Sequence, residues 1–132
     1  MTLNLTALAT FNKSVKEWVI QAFGIKTFED KAERDMRFFE EATELIQSRG
    51  NLSAEDMHRM IDHVMSRPPG VFTQEVGGTM TTLSALCSTE KDLTGSPVDM
   101  FQCGLIELQR IKMPENMVKI REKQLTKLRR SD

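Results

Sequence analysis

Between residues 76 and 88 the chain carries no charge, in the run ValGlyGlyThrMetThrThrLeuSerAlaLeuCysSer, although charged residues make up 28% of the whole. Such a run needs apolar cover on most of its sides, so it predicts a central buried element around which the rest must be arranged. Its threonines suit a strand. It is long for one, however, and no other segment alternates apolar and polar residues to pair with it, so a helix is expected.

The surrounding sequence is punctuated for further helices. Gly24 ends a first helix over 8–23. Thr27, with Asp30 three residues on, offers the N-cap of a second helix that runs to Gly50. Along it Met36, Phe39, Thr43 and Ile46 recur at three- and four-residue steps and predict one buried stripe. Ser53 and Asp56 repeat the capping pattern, and the helix they open must end before Arg67, Pro68, Pro69 and Gly70. Ser96 and Pro97 open the helix after the charge-free one, and Pro114 opens a basic last helix over about 114–128. A length of 132 residues suits one core, with no repeat or linker to divide it. The expected fold class is therefore all-α: a single domain over 1–132, a helical bundle with a buried central helix and a loop insertion at 67–72.

Composition removes several function classes. No stretch reaches the apolar length of a membrane span, and the start has no basic region followed by a long apolar run, so no membrane partner is expected. Cys87 and Cys103 are isolated, which argues against a zinc site or a disulfide framework and for reduced thiols in a cytoplasm. His58 and His63 are five residues apart, so they do not share a helix face as a metal pair would. The net charge of −1 hides an acidic stretch over 1–109, with 10 Lys/Arg against 16 Asp/Glu, and a basic one over 110–132, with 8 against 3. The basic end suits a solvated helix face that lends one or two phosphate contacts. Nucleic acid is not the expected partner, because no aromatic-and-basic stripe accompanies it.

The chemistry is carried by carboxylates. On a helix Glu41 and Glu44 leave neighbouring turns of one face, and Glu40 lies beside Glu44 at four residues. Like charges this close repel unless solvent, Arg37 or a bound cation compensates, and Mg²⁺ or Mn²⁺ favours carboxylate oxygens. Acidic runs are commonly plain solvated faces. This one is singled out by Glu75, the one charge entering the charge-free helix, between Gln74 and the pair Gly77 and Gly78. A carboxylate at the start of a buried helix needs that helix's N-terminus or a metal as partner. The glycines allow another helix or a ligand to come close.

GluGluAlaThrGluLeu at 40–45 and GlnGluValGlyGlyThrMetThrThrLeuSerAlaLeuCys at 74–87 follow in order, with ArgPro at 67–68 and LysIleArgGluLys at 119–123. Together, over about residues 15–123, they resemble the MazG-like all-α nucleoside triphosphate pyrophosphohydrolase superfamily, in particular its short single-domain phage and bacterial members. The resemblance implies an enzyme that hydrolyses a (d)NTP to (d)NMP and pyrophosphate in nucleotide-pool control. It implies Mg²⁺ (or Mn²⁺) held by Glu41, Glu44 and Glu75, with Glu40 orienting or deprotonating the attacking water. Arg67, Lys119, Arg121 and Lys123 would meet the triphosphate, while Trp18 and Gln21, with Phe23, would meet the base. Short relatives with the GluValGlyGly motif act on dGTP or dATP, which implies a purine deoxynucleotide; the related bundles are homodimers or homotetramers. The family's second motif is ExxD, and its Asp falls on Gly78 here; the spacing from Glu44 to Glu75 is also long for the family. Either Glu40, Asp62, Thr79 or water completes the metal site, or catalysis is weakened and the alternative is a helical interaction module of the same fold. A nucleic-acid binder acting through the basic end is the third reading.

Overall fold

The computed structural model describes residues 5–122. The fold is all-α: among the described residues there are seven helices and no strand, α1 (Leu5–Phe23), α2 (Ile25–Glu29), α3 (Lys31–Arg49), α4 (Ala54–Met65), α5 (Phe72–Ser88), α6 (Met100–Ile111) and α7 (Pro114–Arg121).

Local chemistry explains most of the boundaries. Gly24 takes φ +90, a conformation that side chains disfavour, and α1 stops there. The next helix is interrupted where the sequence suggests continuity. Phe28 N–H bonds the Gly24 carbonyl at 3.1 Å to close the one-turn α2, so Thr27 lies inside a helix and caps nothing. Asp30 then turns extended (φ −72, ψ 103), and its Oδ1 accepts the Glu33 N–H at 3.2 Å, starting α3. α4 opens with the expected reciprocal box: the Asp56 N–H bonds Ser53 Oγ at 3.0 Å and the Ser53 N–H bonds Asp56 Oδ2 at 2.9 Å. α6 begins later than Ser96 and Pro97 suggest. Those residues are drawn into a turn in which Asp92 N–H bonds the Ser96 carbonyl at 2.8 Å and Lys91 bridges Pro97. Asp99 caps α6 instead, accepting the Phe101 and Gln102 N–H groups at 3.0 and 3.1 Å. Pro114 stands in the first turn of α7 as expected. The remainder of the helix expected over 114–128 lies outside the described residues.

The helices group into two units, one containing 5–44 and 105–122, the other Leu45–Gly104. In the first, Trp18, Val19 and Ala22 of α1 and Leu108 of α6 are buried, with Phe23, Phe28, Met117 and Ile120 packed against them. The Trp18 indole N–H bonds the Ile111 carbonyl at 3.1 Å, fixing α1 to the end of α6. Arg121 closes the unit from α7, donating Nε to the Ala22 carbonyl at 2.8 Å and Nη2 to that of Gln21 at 3.3 Å. These are the carbonyls that the end of α1 leaves without helical partners.

The second unit corrects an expectation. None of the residues 45–104 is buried, and on α5 Val76 is 45% and Met80 49% exposed. The charge-free helix forms, but this chain does not bury it. A lack of charge states that cover is needed and says nothing of where it comes from. The α3 stripe is only partly covered: Phe39 is half exposed, and Met36, Thr43 and Ile46 are partly buried. Within this unit Arg49 joins the end of α3 to the end of α5, with Nη1 2.8 Å from Glu90 Oε1 and 3.2 Å from Thr89 Oγ1.

Candidate functional site

On α3, Arg34, Arg37 and Glu41 follow at three- and four-residue steps and so share one face. In the first unit that face borders a cleft of about 410 Å³. Trp18 and Phe23 form its aromatic wall, edge to face with centroids 5.8 Å apart. Ile111 and Ile120 extend the apolar lining, and Glu107 and Arg110, which pair with each other on α6, lie at the polar side.

The charges around the cleft are unevenly satisfied. Arg37 Nε lies 3.3 Å from Glu33 Oε1 and its Nη1 3.9 Å from Glu40 Oε1, while the guanidinium sits 5.4 Å from the Phe23 ring centre. Arg37 is thus the compensating cation for part of the acidic run. Arg34 is different: its Nε and Nη2 are buried and meet no hydrogen-bond partner. Burial, offset in part by the Glu33 carboxylate, lowers its pKa from the ordinary guanidinium value. A buried donor left without an acceptor costs about 1–3 kcal/mol, and more when it is charged. Glu33, 4% exposed, has the complementary fault in its unpartnered Oε2.

A second cleft, of about 520 Å³, lies in the other unit and brings Arg67 and Glu75 together beside Pro68, Pro69 and Gly70. A Cβ on Gly70 would fall 2.8 Å from Glu75 Oε1, so the missing side chain makes room for that carboxylate. Thr79 donates its hydroxyl to the Glu75 carbonyl at 2.8 Å. A Cβ on Gly78 would meet nothing within 4 Å.

Of the residues singled out from sequence, Trp18 and Glu41 share the first cleft, and Arg67 and Glu75 share the second. Glu40 faces Arg37, Glu44 is exposed on α3, and Gln21 and Lys119 are exposed on α1 and α7. Arg121 has two donors committed to backbone carbonyls, and Lys123 lies outside the described residues. Glu40, Glu41 and Glu44 belong to the first unit and Glu75 to the second. Among the described residues no group of three or more His, Cys, Asp or Glu side chains is placed to hold a metal, and no helix is long and apolar enough to cross a membrane. Sequence reading passed over Arg34 and Arg110. The usable signal was Arg34 and Arg37 three apart and one turn before Glu41, which puts two cations and an acid on one line of α3.

Comparison with family models, with curated proteins and with solved structures finds no match.

Proposed function

We propose that this chain is a Mg²⁺- or Mn²⁺-dependent nucleoside triphosphate pyrophosphohydrolase acting on a purine deoxynucleotide, dGTP or dATP, in nucleotide-pool control. The observation that carries the reading is the first cleft. There an aromatic wall, guanidinium donors and the Glu41 carboxylate adjoin one another, which is the mix of stacking, anion-binding and acceptor chemistry that a nucleotide requires.

The donor chemistry suits a hard divalent cation. Glu41 and Glu44 are exposed carboxylates one turn apart, and Mg²⁺ is commonly bound through one or two carboxylates with waters and substrate phosphates completing the shell. Glu75 is the further carboxylate in this proposal, and the ion, when bound, neutralises phosphate charge and acidifies water. In the reaction a water oxygen bonds to the α-phosphorus, the bond to the bridging oxygen breaks, and pyrophosphate leaves with that oxygen. Glu40 orients the water and takes its proton. Arg67, beside Glu75, meets the triphosphate, as does Lys119 or Lys123 of the basic end, while Arg121 stays on the Gln21 and Ala22 carbonyls and Trp18 and Gln21 hold the base.

A homodimer or homotetramer completes the proposal. Met60 and Val64 of α4 and Val76 and Met80 of α5 are 45–59% exposed in a unit without one buried residue. A helical unit without a core is not self-sufficient, and a second copy is the partner present wherever the chain is made.

Pyrophosphate release from a panel of NTPs and dNTPs with Mg²⁺ or Mn²⁺ tests the reading. Glu44→Gln and Glu75→Gln are expected to abolish release while leaving helicity intact, and activity persisting in both would sink the metal assignment. Equal turnover of pyrimidines would remove the purine preference. The second reading, an interaction module of the same fold, draws on Gly78 in place of an acid and on the exposed α4 and α5 faces; it predicts no turnover of any nucleotide.

A further inference from the structure

The two unpartnered nitrogens of Arg34, Nε and Nη2, are not any two of its three. They form one edge of the guanidinium, with parallel N–H bonds spaced to meet two oxygens of a phosphate or carboxylate. Arg37 and Arg110, its neighbours around the same cleft, are already engaged with Glu33, Glu40 and Glu107. Arg34 is therefore the cation of this cleft whose bidentate edge meets no acceptor among the described residues.

We infer that Arg34 is the anion-binding residue of the first-unit cleft, receiving the α-phosphate of a nucleoside 5′-phosphate whose base lies against Trp18 and Phe23. The edge is shielded from bulk water at present, so the side chain rotates toward the ligand, exchanging two unsatisfied donors for two charge-assisted hydrogen bonds. The apolar wall of Trp18, Phe23, Ile111 and Ile120 matches a planar ring rather than inorganic phosphate alone. Glu41 and Glu107 at the same cleft disfavour a ligand that is anionic at both ends. For the identity of the ligand this inference rests on the nucleotide reading above, while the anion site itself does not.

Trp18 is the single tryptophan and lines the cleft, so its fluorescence reports occupancy directly. The experiment titrates the full chain, without divalent metal, with dGMP, deoxyguanosine and inorganic phosphate, in the wild type and in Arg34→Gln and Arg34→Lys. The wild type is expected to bind dGMP with a change in emission and to bind deoxyguanosine more weakly. Arg34→Gln should weaken dGMP by at least about tenfold and leave deoxyguanosine unchanged, with Arg34→Lys in between. No change in wild-type emission up to millimolar dGMP overturns the inference, as does equal loss of nucleotide and nucleoside, which marks a structural role. If Arg34→Gln fails to fold by circular dichroism, the Arg34→Lys titration decides by the same criterion. Binding with this pattern but no pyrophosphate release leaves the site standing and removes the hydrolase. Turnover with an unaltered KM in Arg34→Gln does the reverse.

Discussion

Gly78 has open space where a side chain would project, and an acid there would complete the pattern that Glu41, Glu44 and Glu75 begin. Gly78→Asp is expected to leave thermal stability unchanged or raise it by a few tenths of a kcal/mol, since glycine is the poorer helix former. It should also lower the Mg²⁺ concentration needed for half-maximal pyrophosphate release, read from a metal titration. A higher requirement would contradict the assignment. Gly70→Ala acts in the opposite sense. The new Cβ meets only the far end of Glu75, so the carboxylate shifts. The expected result is a fall in kcat with less than about 1 kcal/mol of change in unfolding free energy, because a flexible side-chain end yields cheaply. At this scale the sequence showed the acidic residues and the cation Arg37 that compensates one of them. It did not show the unsatisfied edge of Arg34. Whether a donor finds an acceptor is decided by which helices lie across from it, and local spacing does not contain that information.

Helix starts were legible where two local signals agreed or a proline fixed the backbone. Ser53 is backed by Asp56 three residues on and Pro114 has its φ preset for a first turn, and both open helices as read. Thr27 and Ser96 were overruled by Asp30 and Asp99, three residues further on in each case, whose short carboxylates accept the Glu33 N–H and the Phe101 and Gln102 N–H groups. Ser53→Ala is expected to cost about 1 kcal/mol in urea unfolding, since it removes the hydroxyl that accepts the Asp56 N–H and leaves only the backbone half of the reciprocal cap. The same cap has a pH signature. Hydrogen bonds from the Ser53 backbone N–H and hydroxyl, then the Arg59 guanidinium, hold the Asp56 carboxyl below its ordinary value of 3.8. A depressed acid stabilises the folded state fully above the unfolded-state value and loses that contribution as the pH falls through its lower native one. Protection factors of the amides at the start of α4, with exchange rates referred to the intrinsic rate at each pH, should fall on acidification through that window, and Asp56→Asn should lack the step. An unchanged acid step in Asp56→Asn would show that the cap is not its origin.

At the scale of the whole chain, the all-α class followed from periodicity and punctuation, whereas the burial of its most apolar helix did not. From Val76 to Ser88 helix α5 carries no charge, yet Val76 and Met80 are about half exposed, as are Met60 and Val64 on α4. An apolar face records a requirement for cover, and the sequence has no means of naming what supplies it; in the oligomer proposed above, a second copy does. Stability should therefore depend on protein concentration, with the midpoint of thermal unfolding rising as concentration rises. Val64→Lys, which places a charge on that face, should reduce the sedimenting mass and lower the midpoint. A wild-type monomer whose stability is independent of concentration would contradict the oligomer. The chemical account has a sharper test in the products of one reaction, followed by ³¹P NMR with dGTP and Mg²⁺. The proposal predicts dGMP and pyrophosphate appearing together in equal amounts, without dGDP or inorganic phosphate, and neither product with Glu44→Gln. Release of dGDP and inorganic phosphate, or intact dGTP with the wild-type protein, would contradict it.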